Sequence, residues 1–392
     1  LFAKQQQKKL LFVFILVSFL FLTGCGVQES GNWPGLETDG ERVYVAYQDS
    51  VVALDPTGPE NRVVWSYSSE TAGVNFYAPP SIKDGNLVVG DNGISAGIFQ
   101  GGGFIVGIHS MPLGDTNPPT TNWIADDVVS GRVYAEALQV DGKIFFGTAD
   151  NHFVALDATD GTKIWDFMTG NSVWAQPSYA NGHVYFTSLD KTIYSADADT
   201  GEIIWQAALS GASTGTPVIN EEANLLYIGS FEGILYAFDL TTGEEKWTAQ
   251  TDDWVWSTPA LHNNTVYFGD MAGNIIAIEA EDRTDETPPI WQEQVPESIQ
   301  AKLLIHNDTL FVASGDVSNN VGHLTAYKLD GSDDGQPVQL WQATTNGAIS
   351  ANPVATSSGI AVAFADADGV LQVVVYDMES GNDVWSYTPS TE

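Results

Sequence analysis

The one residue in this chain equipped for covalent chemistry is Cys25, the only cysteine among 392 residues. It closes the run Leu22, Thr23, Gly24, Cys25, which follows an apolar stretch over 10–22; Lys4, Lys8 and Lys9 lie ahead of that stretch. A basic segment, 13 apolar residues and small residues before a cysteine are the ordered parts of a secretory signal that ends in a bacterial lipobox. The apolar stretch is short for a membrane span. The spacing therefore predicts a lipoprotein signal peptide over 1–24, cleavage before Cys25, a diacylglycerol on its sulfur, and a lipidated tether over 25–30. That tether spans no more than about 30 Å when fully extended, so the body would sit close to its membrane. The expected location is an exported, membrane-anchored lipoprotein of a bacterium, facing the periplasm or the cell exterior. With no second cysteine, the mature chain has no disulfide.

Other reactive residue types do not assemble into a site. The 6 histidines, among them His109, His152, His183 and His262, lack the spacing of metal ligands. Asp330, Ser332 and Asp334 begin like a calcium loop, but Val338 and Trp341 stand where the ninth and twelfth positions need acids. Asp366 and Asp368 read as a plain acidic turn. Gly101, Gly102 and Gly103 are followed by neither Lys-Ser/Thr nor a helix, so they form no phosphate loop. No catalytic residue and no metal site are expected. The formal charge of −36 leaves no basic footprint for nucleic acid. It suits solubility, and it would attract a basic partner.

The elements that would carry any site are set by a repeat. Trp65, Trp123, Trp165, Trp205, Trp247, Trp291, Trp341 and Trp385 follow one another at gaps of 58, 42, 40, 42, 44, 50 and 44 residues. A period of 40–45 is that of a four-stranded propeller blade. In the cleanest units Asp157, Asp197, Asp239 and Asp377 each precede their tryptophan by 8 residues, with Gly161, Gly201, Gly243 and Gly381 between. An apolar run ending in Asp is a strand that stops. The carboxylate accepts backbone N–H groups two and three residues on, and the glycine supplies a positive φ. Tryptophan then opens the next strand, and its ring is placed to dock on a neighbouring blade. The turn is stretched after Asp55, Glu279 and Lys328; in the second unit His109 is read as occupying the acidic slot. Asp-Gly and Asn-Gly pairs such as Asp84-Gly85, Asp141-Gly142 and Asn181-Gly182 mark the preceding hairpins. Prolines at 80, 177, 217, 259 and 353 mark strand starts.

The predicted fold is all-β, an eight-bladed β-propeller of four-stranded antiparallel blades over 31–392. Its blades fall at 31–69, 77–126, 132–170, 172–210, 212–251, 254–295, 298–345 and 348–388. No tryptophan strand precedes the first blade, so closure by a strand borrowed from the far end is not expected.

Three residues ahead of the aligned strand starts stand Tyr77, Tyr134, Trp174, Thr214, Trp256, Gln300 and Ser350. Trp254 joins the aromatic members. In a propeller these positions lie at the channel mouth. Tyr77, Tyr134, Trp174, Trp254 and Trp256 could form a collar for a planar ligand, a sugar or a partner's side chain. They could equally be packing between blades.

Asp239, Thr242, Gly243 and Trp247 match the repeat of pyrroloquinoline-quinone propellers, and Asp197, Thr200, Gly201 and Trp205 nearly do. The chain resembles that superfamily over essentially all of its mature length. One branch comprises quinoprotein alcohol and glucose dehydrogenases. The other is the non-catalytic propeller lipoprotein subunit of the outer-membrane β-barrel assembly machine, which this chain resembles in anchor, length and blade count. The dehydrogenase branch implies an adjacent cysteine pair, a calcium site and cationic clamps for a tricarboxylate. This chain has no cysteine pair, and its arginines after Cys25 are Arg42, Arg62, Arg132 and Arg283 only. Neither pyrroloquinoline quinone nor calcium is therefore expected as a cofactor. The resemblance implies a cell-envelope scaffold with an unidentified protein partner. The alternative is a small-ligand or glycan binder using the channel mouth.

Overall fold

A computed structural model describes residues 33–60, 62–95, 104–126, 128–281, 283–329 and 336–389. Cys25, the expected signal peptide and tether, the triple glycine at 101–103 and the acidic run at 330–335 lie outside the described residues. The described chain forms eight four-stranded antiparallel sheets and one short two-stranded hairpin. In seven sheets the four strands lie side by side in chain order. The first strands of neighbouring blades meet around the axis, and that of blade eight, Val354–Thr356, meets that of blade one, Gly35–Thr38. The protein is an eight-bladed β-propeller.

Local chemistry explains each turn. Asp84 and Gly85 have φ of 49° and 77°, Asp141 and Gly142 50° and 72°, and Asn181 and Gly182 53° and 81°. Two successive positive values define the hairpin turn that matches strand twist, which is why Asp-Gly and Asn-Gly occur there. In the later turn Asp197 Oδ1 accepts Asp199 N at 3.0 Å and Thr200 N at 2.8 Å, and Gly201 takes φ of 74°. Asp239 and Asp377 repeat this arrangement.

A β-bulge recurs immediately before the tryptophan. In blade three Ala155 pairs with Trp165 but Leu156 pairs with Lys163, leaving Ile164 as the extra residue. The same shift isolates Val64, Ile204, Lys246, Leu340 and Val384. A bulge bends an outer strand and re-aims its side chains. Here it turns the indole toward the next blade and interrupts the exposed edge of the sheet, where regular pairing with another chain would otherwise be favoured.

There is no single core. Eight apolar clusters each lie between two successive blades, from blades one and two round to blades eight and one. The middle strands are buried on both faces, which accounts for continuous apolar runs such as Val43–Tyr47 instead of strict alternation. The seam between blades eight and one is closed by side chains. Leu36, Val45 and Val52 pack with Val373, Val375 and Trp385, and Tyr47 Oη donates to Gly369 O at 2.7 Å.

Blade two departs from the repeat. A hairpin of Ile94–Ser95 and Phe104–Ile105 is inserted between its second and third strands. The reading of His109 as occupant of the acidic slot is corrected by register. Trp123 pairs with Ser110, as Trp165 pairs with Ala155, so Pro112 stands where Asp157 stands in blade three. Proline cannot accept the turn's N–H groups through its side chain, and the turn after it is longer.

Candidate interaction face and channel

The repeated tryptophans stand between blades. Trp123, Trp165, Trp205 and Trp341 donate Nε1–H to the carbonyls of Ala158, Ala198, Leu240 and Met378, each in the next blade's turn, at 3.0–3.2 Å. Trp385 closes the circle by donating to Pro59 O at 3.1 Å. Trp65 and Trp247 have no acceptor for Nε1. The next blade's turn is stretched in both cases, and over Trp247 the guanidinium of Arg283 lies 5.1 Å from the ring centroid. Burial lowers the pKa of Arg283.

The lead-in to each inner strand is extended, so its residues alternate in direction. In blade three Val133, Ala135 and Ala137 are buried between blades, while Arg132, Tyr134 and Glu136 are more accessible. The collar positions belong to this accessible set. Two aromatic groups form there. Tyr134 and Trp174, from adjacent blades, meet edge to face at 5.3 Å. Phe231, in the turn of blade five before Gly233, stacks against Trp254 at 5.3 Å and Trp256 at 4.9 Å. Its N–H donates to Ala212 O at 2.9 Å, which fixes the turn. Tyr77 holds the equivalent place in blade two and is half-buried. Sequence reasoning missed Phe231; an aromatic residue in a turn otherwise built from polar residues was the available signal. Glu232 and Asp252 are exposed beside the stack in sequence, so this aromatic surface has an acidic border.

Two residues beyond the collar positions the chain places Glu136, Gln176 and Lys302, from blades three, four and seven. Glu37 joins them from the first strand of blade one. Glu37, Gln176 and Lys302 lie close enough to Glu136 to act on its titration, and Lys302 acts on Glu37 as well. Burial, then repulsion by Glu37, pushes Glu136 well above the usual carboxylate range. Burial also raises Glu37, against the opposing pull of its bond from Thr38 N at 2.8 Å and of Lys302. These channel residues were not singled out from sequence, because four blades must close before they meet.

A buried relay fills blade two. Tyr67 Oη and His109 Nδ1 are 2.8 Å apart, and His109 Nε2 and Asp91 Oδ2 are 3.0 Å apart. Asp91 Oδ1 accepts Gly93 N at 2.8 Å and Gly107 N at 2.9 Å, so the relay pins the neck of the inserted hairpin. All three side chains are buried. Among the described residues no three metal-ligating side chains gather.

A family model described as outer membrane protein assembly factor BamB matches residues 115–333 and 232–392, which together make up more than half of the chain. The chain belongs to that family. Solved structures agree on architecture. BamB from Moraxella catarrhalis superposes with a TM-score of 0.64 at 18% identity, over 86% of this chain and 95% of that one. The computationally designed Ika8 protein superposes with a TM-score of 0.65 at 14% identity, over 86% and 94%. A designed protein fits as well as the natural BamB, so these superpositions carry the fold and not a task. No curated protein matches the sequence.

Proposed function

We propose that this protein is a non-catalytic, lipid-anchored scaffold of the bacterial envelope, acting like the assembly factor for which its family is described. Membership of that family is the observation that carries the reading. The aromatic face supplies a docking surface, since stacked rings of fixed geometry are the anchors around which protein interfaces are built. The four arginines are engaged: Arg42 with Asp115, Arg62 with Asp55, Arg132 over Phe104 and Arg283 over Trp247. That engagement supports assigning the protein no anionic quinone. Lipidation at Cys25 would hold it at the membrane.

A photo-crosslinking side chain at Glu232, beside Phe231, tests the docking face in cells. A discrete adduct with one envelope protein is expected, lost in Trp254→Ala/Trp256→Ala, with no adduct from Glu222 on the opposite hairpin face. Glycan adducts, or none, would sink the scaffold in favour of the ligand-binding alternative. Cys25→Ser tests the anchor and should move the protein from the membrane to the soluble fraction.

A further inference from the structure

The joint between blades five and six holds buried N–H groups that nothing accepts. Leu225 pairs with Asp239 and Thr265 with Glu279, so by register Ala280 corresponds to Leu240 and Arg283 to Gly243. At the preceding joint Leu240 O accepts Trp205 Nε1–H at 3.1 Å, and Gly243 lies under that indole. Here Ala280 O accepts Tyr227 Oη at 3.0 Å, and Trp247 Nε1 has no acceptor. An arginine replaces the glycine, and its guanidinium covers the Trp247 ring at 5.1 Å. Arg283 is 7% exposed. Its Nη2 donates to Thr287 O at 2.7 Å, whereas Nε and Nη1 are buried without a partner. A buried donor left unpaired costs stability, and most when it belongs to a cation. Two carboxylates act on Arg283 through space, those of Asp285 and Glu279, but neither bonds Nε or Nη1. Asp285 Oδ1 instead accepts Thr248 N at 2.7 Å. The turn that follows Arg283 runs through exposed Thr284, Asp285 and Glu286, and Thr287 N closes it by donating to Thr284 O at 2.9 Å.

We propose that Arg283 and Trp247 form a binding site for one small monovalent anion, a chloride ion or a formate-sized carboxylate. The ion accepts from the indole N–H and from the unpaired N–H groups of the guanidinium, and it enters by movement of the short turn at 284–287. It takes the place that a turn carbonyl holds at Trp205, and so completes the docking of blade six on blade five. Three observations set its class. The donors have no lone pair to offer, so the ligand must be an acceptor. They include a permanent cation out of water, which an anion compensates and a neutral carbonyl does not. Glu279 and Asp285 stand near enough to repel a second negative charge. A tricarboxylate is too highly charged for one arginine between two acids, so the site is no quinone clamp. The site lies in a joint between blades and is independent of the aromatic docking face.

Side-chain N–H resonances of the nitrogen-15-labelled full chain read the site, with the Trp247 indole signal assigned by its loss in Trp247→Phe. With ionic strength held by sodium gluconate, sodium chloride or sodium formate should shift that signal in a saturating manner, and sodium sulfate should not. Trp65 is the internal control: its Nε1 also lacks an acceptor, but among the described residues no cation lies over its ring, so its signal should stay fixed. In Arg283→Met the Trp247 response should vanish. In urea the folded-to-unfolded ratio of the wild type should rise about tenfold at about ten times Kd, and that of Arg283→Met should not. No saturable shift in the wild type, or the same shift in Arg283→Met, overturns the site. An equal response to sulfate overturns its restriction to one charge. If Arg283→Met does not fold, wild-type crystals soaked in sodium bromide decide: anomalous density between the Trp247 indole and the Arg283 guanidinium supports the site, and its absence there overturns it.

Discussion

The indole of Trp165 occupies the space that a side chain on Gly201 would need. A Cβ on that glycine would stand 2.7 Å from Trp165 Cδ2, and Trp165 Nε1 donates to Ala198 O at 3.2 Å. Blade three thus reads the turn of blade four through a ring and one hydrogen bond. Gly243 under Trp205 and Gly381 under Trp341 repeat the contact.

Gly201→Ala should therefore destabilise by more than its backbone strain. A comparable φ exists at Gly142, where a Cβ would meet nothing within 4 Å. Gly142→Ala should cost about 1 kcal/mol for the left-handed conformation. Gly201→Ala adds about 1–3 kcal/mol for the displaced ring. Equal losses in urea unfolding would show that the contact is soft.

The two docking modes of tryptophan separate in a second pair of variants. Trp205→Phe removes the donor 3.1 Å from Leu240 O and leaves that carbonyl only the longer bond from Tyr185 Oη at 3.3 Å. Trp247→Phe removes a buried N–H that has no acceptor. The first should lose about 1 kcal/mol more than the second. Chemical denaturation under one salt condition is sufficient to rank them.

Blades four and five contain a polar substitution in an otherwise apolar joint. Gly147 faces Val173 and Gly229 faces Val255, each so closely that a Cβ would stand 2.2 Å from a valine methyl. In blade four the register places Thr187 where Gly147 stands, and Ser213 replaces the valine. Both residues are 0% exposed, and neither hydroxyl has a partner. Thr187→Gly/Ser213→Val should match or exceed wild-type stability. Ser213→Val alone should lose about 1–3 kcal/mol through overpacking. A double-mutant cycle with additive losses would refute the coupling.

Acid should weaken the turns. Thr200 holds Asp197 below the usual carboxylate range, and Ser380 does the same for Asp377. Their stabilisation is present above the unfolded pKa and is lost as pH falls through the depressed folded values. The Tm advantage of wild type over Asp197→Asn should be full at neutral pH and should shrink as pH falls below ~4. An advantage that persists unchanged at pH ~2 would mean that the amide fails for steric reasons.

Architecture was legible because it is local and repeated. Asp197, Thr200 and Gly201 lie within one turn, and the bonds that form that turn need no distant partner. The bulges at Ile164 and Ile204 were not legible, since they are a difference in register between two strands. His109 illustrates the limit: counting along the chain put it in the acidic slot, and pairing of Trp123 with Ser110 moved that slot to Pro112. The inserted hairpin had displaced the count.

From the chain alone came the number of blades and their turn chemistry, because both repeat at short range. Tertiary structure alone decided that Phe231 joins Trp254 and Trp256, that Glu37 meets Glu136, and that blade eight closes on blade one through packed side chains. Those meetings join residues from separate blades or turns, and only the closed ring brings them within reach of one another.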